Sequence, residues 1–132
     1  MKALDTNVLV RFLVRDDPAM TDRARKVFEH ARDIGEPVLI NNLVLLETLW
    51  VLRSAYRFSR QAIIEAVDRL EGLPCLRFDS SETVREFVRL GKSTSLDLAD
   101  ILIGLHARAL GCETTLTFDQ HAAQTGLLQD VP

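Results

Sequence analysis

The chain has 132 residues, 47% of them hydrophobic, and a formal net charge of −3. That length supports one domain with a sizeable core and is too short for two ordinary ones, so a single domain over residues 1–132 is expected. The charge argues against bulk electrostatic attraction to nucleic acid. The longest apolar neighbourhood, "PVLINNLVLLETLWVL", is broken by Asn41, Asn42 and Glu47, short of the ~18 uninterrupted apolar residues of a membrane span.

Short strand-like segments alternate with helical ones, the pattern of an α/β fold with a mainly parallel sheet. "KAL" reads as a brief first strand running into "TNVLVRFLV", whose Val8, Leu9, Phe12 and Leu13 are spaced for a helix. Asp17 and Pro18 supply an N-cap and a first-turn proline for a helix through Ile34, stopped by Gly35. "VLI" is the second strand. Asn41 or Asn42 can cap "LVLLETLWVLRSAY", which is apolar on nearly every side and so is expected to be buried all round, Glu47 excepted. Ser59 starts a helix ending near Gly72, and "LPCLRF" returns as a strand. Asp79 and Glu82 form a capping pattern for "SETVREFVRLG". Ser95 is the expected cap of "LDLADILIGLHARAL", with Gly111 as its stop, and "TTLT" is the last strand before a short amphipathic tail.

No positively charged, apolar leader of the secretory kind is visible at the N-terminus, so a cytoplasmic location is expected. Cys75 and Cys112 lack the spacing of zinc or redox motifs and read as reduced thiols. His30, His106 and His121 are scattered and read as surface or satisfied core residues, while Trp50 and Phe12 read as core. Arginine dominates the basic residues, which suits phosphate contacts as well as it suits a GC-rich genome.

Most of the 19 acids lie among arginines on polar helix faces. A few sit differently: Asp5 ends the first strand, Glu47 interrupts an apolar helix, Asp97 and Asp100 punctuate "LDLADILIG", and Asp119 follows the last strand. In an open parallel sheet, ligands bind beyond the carboxyl ends of the strands. Asp97 and Asp100, three apart, can share a helix face, and a helix beside the sheet can aim Glu47 at the same place. Carboxylates gathered without a cation raise one another's pKa values, a conflict that a divalent ion removes. Oxygen ligation without a Cys or His cluster favours Mg²⁺ or Mn²⁺, and the natural chemistry is phosphodiester hydrolysis. Thr6, Asn7 and Thr117 could orient the carboxylates by hydrogen bonds. Each acid also has an ordinary alternative: Asp5 as an N-cap, Glu47 as an exposed helical residue, which its apolar neighbours disfavour, and Asp119 as a turn residue or N-cap.

The segments "ALDTNVLVRFLV", "LLETLWVL" and "DLADILIGLHARALGCETTLTFD" together resemble the PIN-domain family, and within it the VapC-type toxins, over almost the whole chain in the same order. The resemblance implies a three-layer α/β/α fold with a central, mainly parallel sheet. It also implies a Mg²⁺- or Mn²⁺-dependent ribonuclease whose catalytic, metal-binding acids are Asp5, Glu47, Asp100 and Asp119, with Asp97 an additional candidate ligand. It implies further a homodimer, neutralised by a small antitoxin protein whose tail fills the acidic groove. The tail "TFDQHAAQTGL" departs from the family in having His121 and Ala122 where an aromatic often follows the last aspartate. Single-stranded or loop RNA is the expected substrate, with Arg11, Arg15, Arg53 and Arg57 as phosphate contacts at the rim. A non-catalytic PIN-like RNA-binding or assembly module is the alternative. A receiver- or phosphatase-like domain does not fit, because Asn7 stands where a double-aspartate phosphatase needs its second acid.

Overall fold

The computed structural model describes all of residues 1–132. An extended first segment is tied in parallel to the second by Leu4 N–H to Leu39 O (2.9 Å) and Leu39 N–H to Lys2 O (2.8 Å). Then follow α1 (Thr6–Val14), α2 (Pro18–Ile34), β1 (Val38–Ile40), α3 (Asn42–Ser54), α4 (Arg60–Glu71), β2 (Leu76–Phe78), α5 (Ser81–Ser93) and α6 (Leu98–Ala109). The chain closes with β3 (Thr115–Thr117), a 3₁₀ turn (Ala122–Thr125) and β4 (Leu128–Asp130). β1 pairs with β2, Leu39 opposite Arg77, and β3 with β4, Leu116 opposite Gln129, both in parallel. The α/β class with parallel strands is therefore present, although the hydrogen-bonded ladder is divided into two pairs rather than running unbroken. β4 lies in the tail. It forms because Leu127 and Leu128 are buried and Val131 N–H reaches Thr117 O at 3.0 Å, while Gly104 lets α6 close on Leu127, where an added Cβ would meet Leu127 Cγ at 2.7 Å.

The helix starts follow from their caps. Asp17 accepts from Met20 N–H at 3.1 Å, Asn41 from Val44 N–H at 2.9 Å and Ser59 from Ala62 N–H at 3.1 Å, each satisfying a donor that a helix leaves open. Gly35 ends α2 at φ 67°, where a side chain would be strained. Two expected caps are displaced. Ser80, not Asp79, caps α5 through Thr83 N–H (3.2 Å), and Asp97, not Ser95, caps α6 through Asp100 N–H (3.2 Å).

A cluster of 26 buried residues fills the interior, drawing on every helix and on β1, β2 and β4. Burial of α3 is one-sided: Leu45, Thr48, Leu49 and Leu52 face inward, while Leu43 and Trp50 are 79% and 69% exposed. Trp50 is thus a surface residue and not core, because the stripe i, i+3/i+4 that carries Leu43, Glu47 and Trp50 is the one α3 turns away from its neighbours. Phe12 does pack on the core, edge-on to Phe28 with ring centroids 4.4 Å apart.

Candidate functional site

The first extended segment ends at Asp5, which caps α1 with Oδ1 accepting Thr6 N–H at 2.8 Å. Beyond β3, the Thr117 hydroxyl accepts Asp119 N–H at 3.0 Å, and Asp119 Oδ1 in turn accepts from His121 N–H (3.0 Å) and Ala122 N–H (3.2 Å). The Asp119 carboxylate is thereby held in a turn that stays exposed. At the start of α6, Asp97 uses Oδ1 as the cap and Oδ2 as the partner of Arg53 Nη1 at 3.3 Å. Asp100 is half-buried one turn further, and its carboxylate accepts no hydrogen bond. Burial, followed by the negative charges of Asp97 and Asp119, holds the Asp100 carboxyl above the usual carboxylate range.

The structure therefore brings Asp97 and Asp119 each within electrostatic range of Asp100. Asp5 and Glu47 stand on adjoining elements, since α3 packs against both α1 and α6. Glu47 is an exposed position at mid-helix, against the expectation drawn from its apolar neighbours. No three Asp, Glu, His or Cys side chains converge closely enough to hold an ion as they stand. The donor chemistry nevertheless suits a hard cation. The available atoms are carboxylate oxygens, Asp100 has like-charged neighbours and no hydrogen-bond donor, and the exposed carboxylates of Asp5, Glu47 and Asp119 can change rotamer on a fast timescale.

Other expected contributors divide by location. Thr6 is buried and supplies its N–H to Asp5. Asn7 and Arg11 line a groove of about 500 Å³ between α1 and α2, together with Met20, Arg23 and Val27. That groove contains no carboxylate, so it is not the reactive centre. Arg11 is paired with Asp16 at 2.8 Å, and Arg15 ends α1 in the left-handed region with its guanidinium 5.9 Å from the Phe12 ring. Arg57 follows α3 at φ 55°. Of the four arginines, Arg53 is the one bonded to a candidate-site acid, Asp97.

Sequence reasoning missed three polar links. Asn42 is buried, with its N–H donating to Asp79 Oδ2 (2.7 Å) and its Nδ2 against His106 Nδ1 (2.8 Å). Ser95 Oγ lies 3.2 Å from His121 Nε2. These partners are 37, 64 and 26 residues apart, and no local pattern announces such pairs.

Short parallel strands wrapped by helices, with acids following the strand ends and opening α6, define the class: this is a PIN domain. The family model described as PIN domain matches residues 2–127, and the chain belongs to that family. More particularly, it is similar to a VapC ribonuclease of Aquifex aeolicus (strain VF5), 24% identical over 126 residues that cover 96% of this chain and 93% of the relative. No solved structure matches.

Proposed function

We propose that the chain is a metal-dependent endoribonuclease, the toxin of a toxin–antitoxin pair, folded as one domain and acting in the cytoplasm. The observation that carries this reading is Asp100, a half-buried carboxylate without a hydrogen-bond donor and under the charges of Asp97 and Asp119. Such a group in its charged form lowers stability somewhat, and a bound cation would recover that loss. The similarity to a VapC ribonuclease supports the RNA substrate and the toxin role.

Asp5, Glu47, Asp100 and Asp119 would hold Mg²⁺ or Mn²⁺, with Asp97 in reserve. The ion would supply an activated water and stabilise charge on the phosphate and leaving oxygen. The chain's own contribution is positioning. Thr117 and the amides of His121 and Ala122 hold the Asp119 turn, and Asp97 anchors the helix start that carries Asp100. A homodimer and a small antitoxin protein are the partners in this reading, and exposed Leu43, Trp50 and Phe118 supply apolar surface for such contacts.

The test is incubation of the purified chain with single-stranded RNA in Mn²⁺, Mg²⁺ or EDTA, with Asp100→Asn in parallel. Cleavage in either ion, absent in EDTA and in the variant, is expected. RNA that is bound but uncut under every condition replaces this reading with the non-catalytic binding module.

A further inference from the structure

Against the acid cluster lies a cavity of about 360 Å³. Its floor is apolar, made by Phe58, Ile63 and Leu98, and its polar wall is Arg53, Arg60, Ser95, Asp97 and His121. Two of these residues join it to the acids. Asp97 caps the helix bearing Asp100, and His121 N–H donates to Asp119 Oδ1 at 3.0 Å.

The two arginines have different work. Arg60 donates to the carbonyls of Gly91 and Thr94 at 3.0 Å each and to that of Leu96, so its guanidinium is committed to holding the α5–α6 loop. Arg53 has one contact, the 3.3 Å pair with Asp97, and both side chains are open to water at 73% and 46% exposure. An exposed pair of that kind is weak and exchanges readily for a better anion. A guanidinium offers phosphate a two-pronged contact. Across the rim, Ser95 Oγ and His121 Nε2 are 3.2 Å apart and bring hydroxyl and imidazole groups that can donate or accept, as reading a base edge requires.

We propose that this cavity binds one RNA nucleotide beside the acids, with the base on the Phe58, Ile63 and Leu98 floor, its edge against Ser95 and His121, and its phosphate on Arg53. The proposal rests on the nuclease reading for its RNA, whereas the lining chemistry would hold a free nucleotide as well. The volume lies near the small end of the ~300–1,000 Å³ range of ligand pockets, which suits a single nucleotide. An apolar floor under a cationic rim matches an aromatic anion, and a base is the part of single-stranded RNA that is free to leave its stack.

The probes are the four ribonucleoside 5′-monophosphates and inorganic phosphate. They are titrated without divalent metal into the wild-type chain, Arg53→Gln and Ser95→Trp, and followed by NMR at residues 95–98 and the His121 ring. Cleavage of single-stranded RNA by the same three proteins is measured alongside. Nucleotides are expected to shift these signals, to bind more tightly than phosphate, and to lose about tenfold in affinity in each variant. In cleavage, both variants are expected to raise KM and alter base preference more than they lower kcat. Equal nucleotide affinity in all three chains, shifts confined elsewhere, or phosphate binding as tightly as nucleotides overturns the pocket. RNA cut with one KM and one base preference by all three overturns it too, while leaving the nuclease reading intact. Nucleotide binding at these residues by a chain that cuts no RNA keeps the pocket and removes the nuclease reading. Arg53→Gln changes an exposed side chain and carries the test if Ser95→Trp does not fold.

Discussion

The starts of α5 and α6 solve one local problem with the same residue types and opposite assignments. At "FDSSET" the serine Ser80 caps the helix, and the leftover acid, Asp79, accepts the Asn42 N–H at 2.7 Å. At "STSLDLAD" the aspartate Asp97 caps the helix, and the leftover serine, Ser95, pairs with His121. A second acid, Asp100, then remains without a donor, pressed by burial and by the charges of Asp97 and Asp119. An acid that the fold consumes is structural. An acid that the fold leaves desolvated beside others is a place for something from outside, and this contrast separates Asp79 from Asp100 although both sit at helix starts.

Exchanging each acid for its amide breaks the comparison most sharply. Asp100→Asn is expected to lower metal-dependent RNA cleavage by more than ~100-fold, beyond the cost of losing a group that merely orients a ligand. Asp79→Asn is expected to cut RNA at near the wild-type rate while melting lower, since a neutral amide oxygen accepts the Asn42 N–H less strongly than a carboxylate. Equal activity losses in the two purified variants would erase the distinction.

Metal should separate the same two positions by stability. Mn²⁺ or Mg²⁺, at constant ionic strength and against EDTA, is expected to raise the melting temperature of wild type and Asp79→Asn, because an ion bound only by the folded chain stabilises it. Asp100→Asn should show little of that rise. Identical wild-type melting curves with and without the ions would count against a metal site.

Caps come next in size. Ser80→Ala and Asp97→Ala should each cost about 1 kcal/mol and lower the melting temperature by roughly 3–5 °C. Ser95→Ala should leave the melting temperature within about 1 °C, since Ser95 caps nothing. Asp97→Asn keeps the cap, asparagine serving as well there, and so is expected to retain measurable cleavage. A large loss of stability in Ser95→Ala would reassign the start of α6.

The smallest effect is on pH. Because the Asp100 carboxyl titrates above its ordinary value, the folded chain holds a proton between the two values that the unfolded chain has released. The stability tied to this group is complete below the ordinary value and is lost as pH rises through the raised one. Asp100→Asn is therefore expected to melt slightly higher than wild type at neutral pH in EDTA, with the gap closing toward pH ~4. A gap that widens on acidification would reverse the sign and the cause assigned to it.

Much of this was legible before any coordinates. Asp17 with Pro18, Asn41, Ser59 and Gly35 punctuate the helices where expected, because a cap acts on amides two or three residues away and its signal is local. The α/β class followed from alternating periodicities for the same reason, while Asp100 stood out by its apolar surroundings and Asp119 by following the last strand. Trp50 was misjudged because an all-round apolar helix gives no clue to which stripe its neighbours will cover. The tail strand was missed because "LLQD" is too short to show a period and becomes a strand only by pairing with β3.

By itself, then, the sequence determined most helix starts and stops, the alternation that makes the fold α/β, and that Asp100 is an acid with no capping role. Tertiary structure alone decided which of two nearby residues caps α5 and α6, which face of α3 meets water, and that Arg53, Ser95 and His121 meet around one cavity beside Asp97. The reason is range. Backbone capping and hydrophobic period act over a few residues, whereas burial and the charge that Asp119 exerts on Asp100 exist only once segments distant along the chain are packed together.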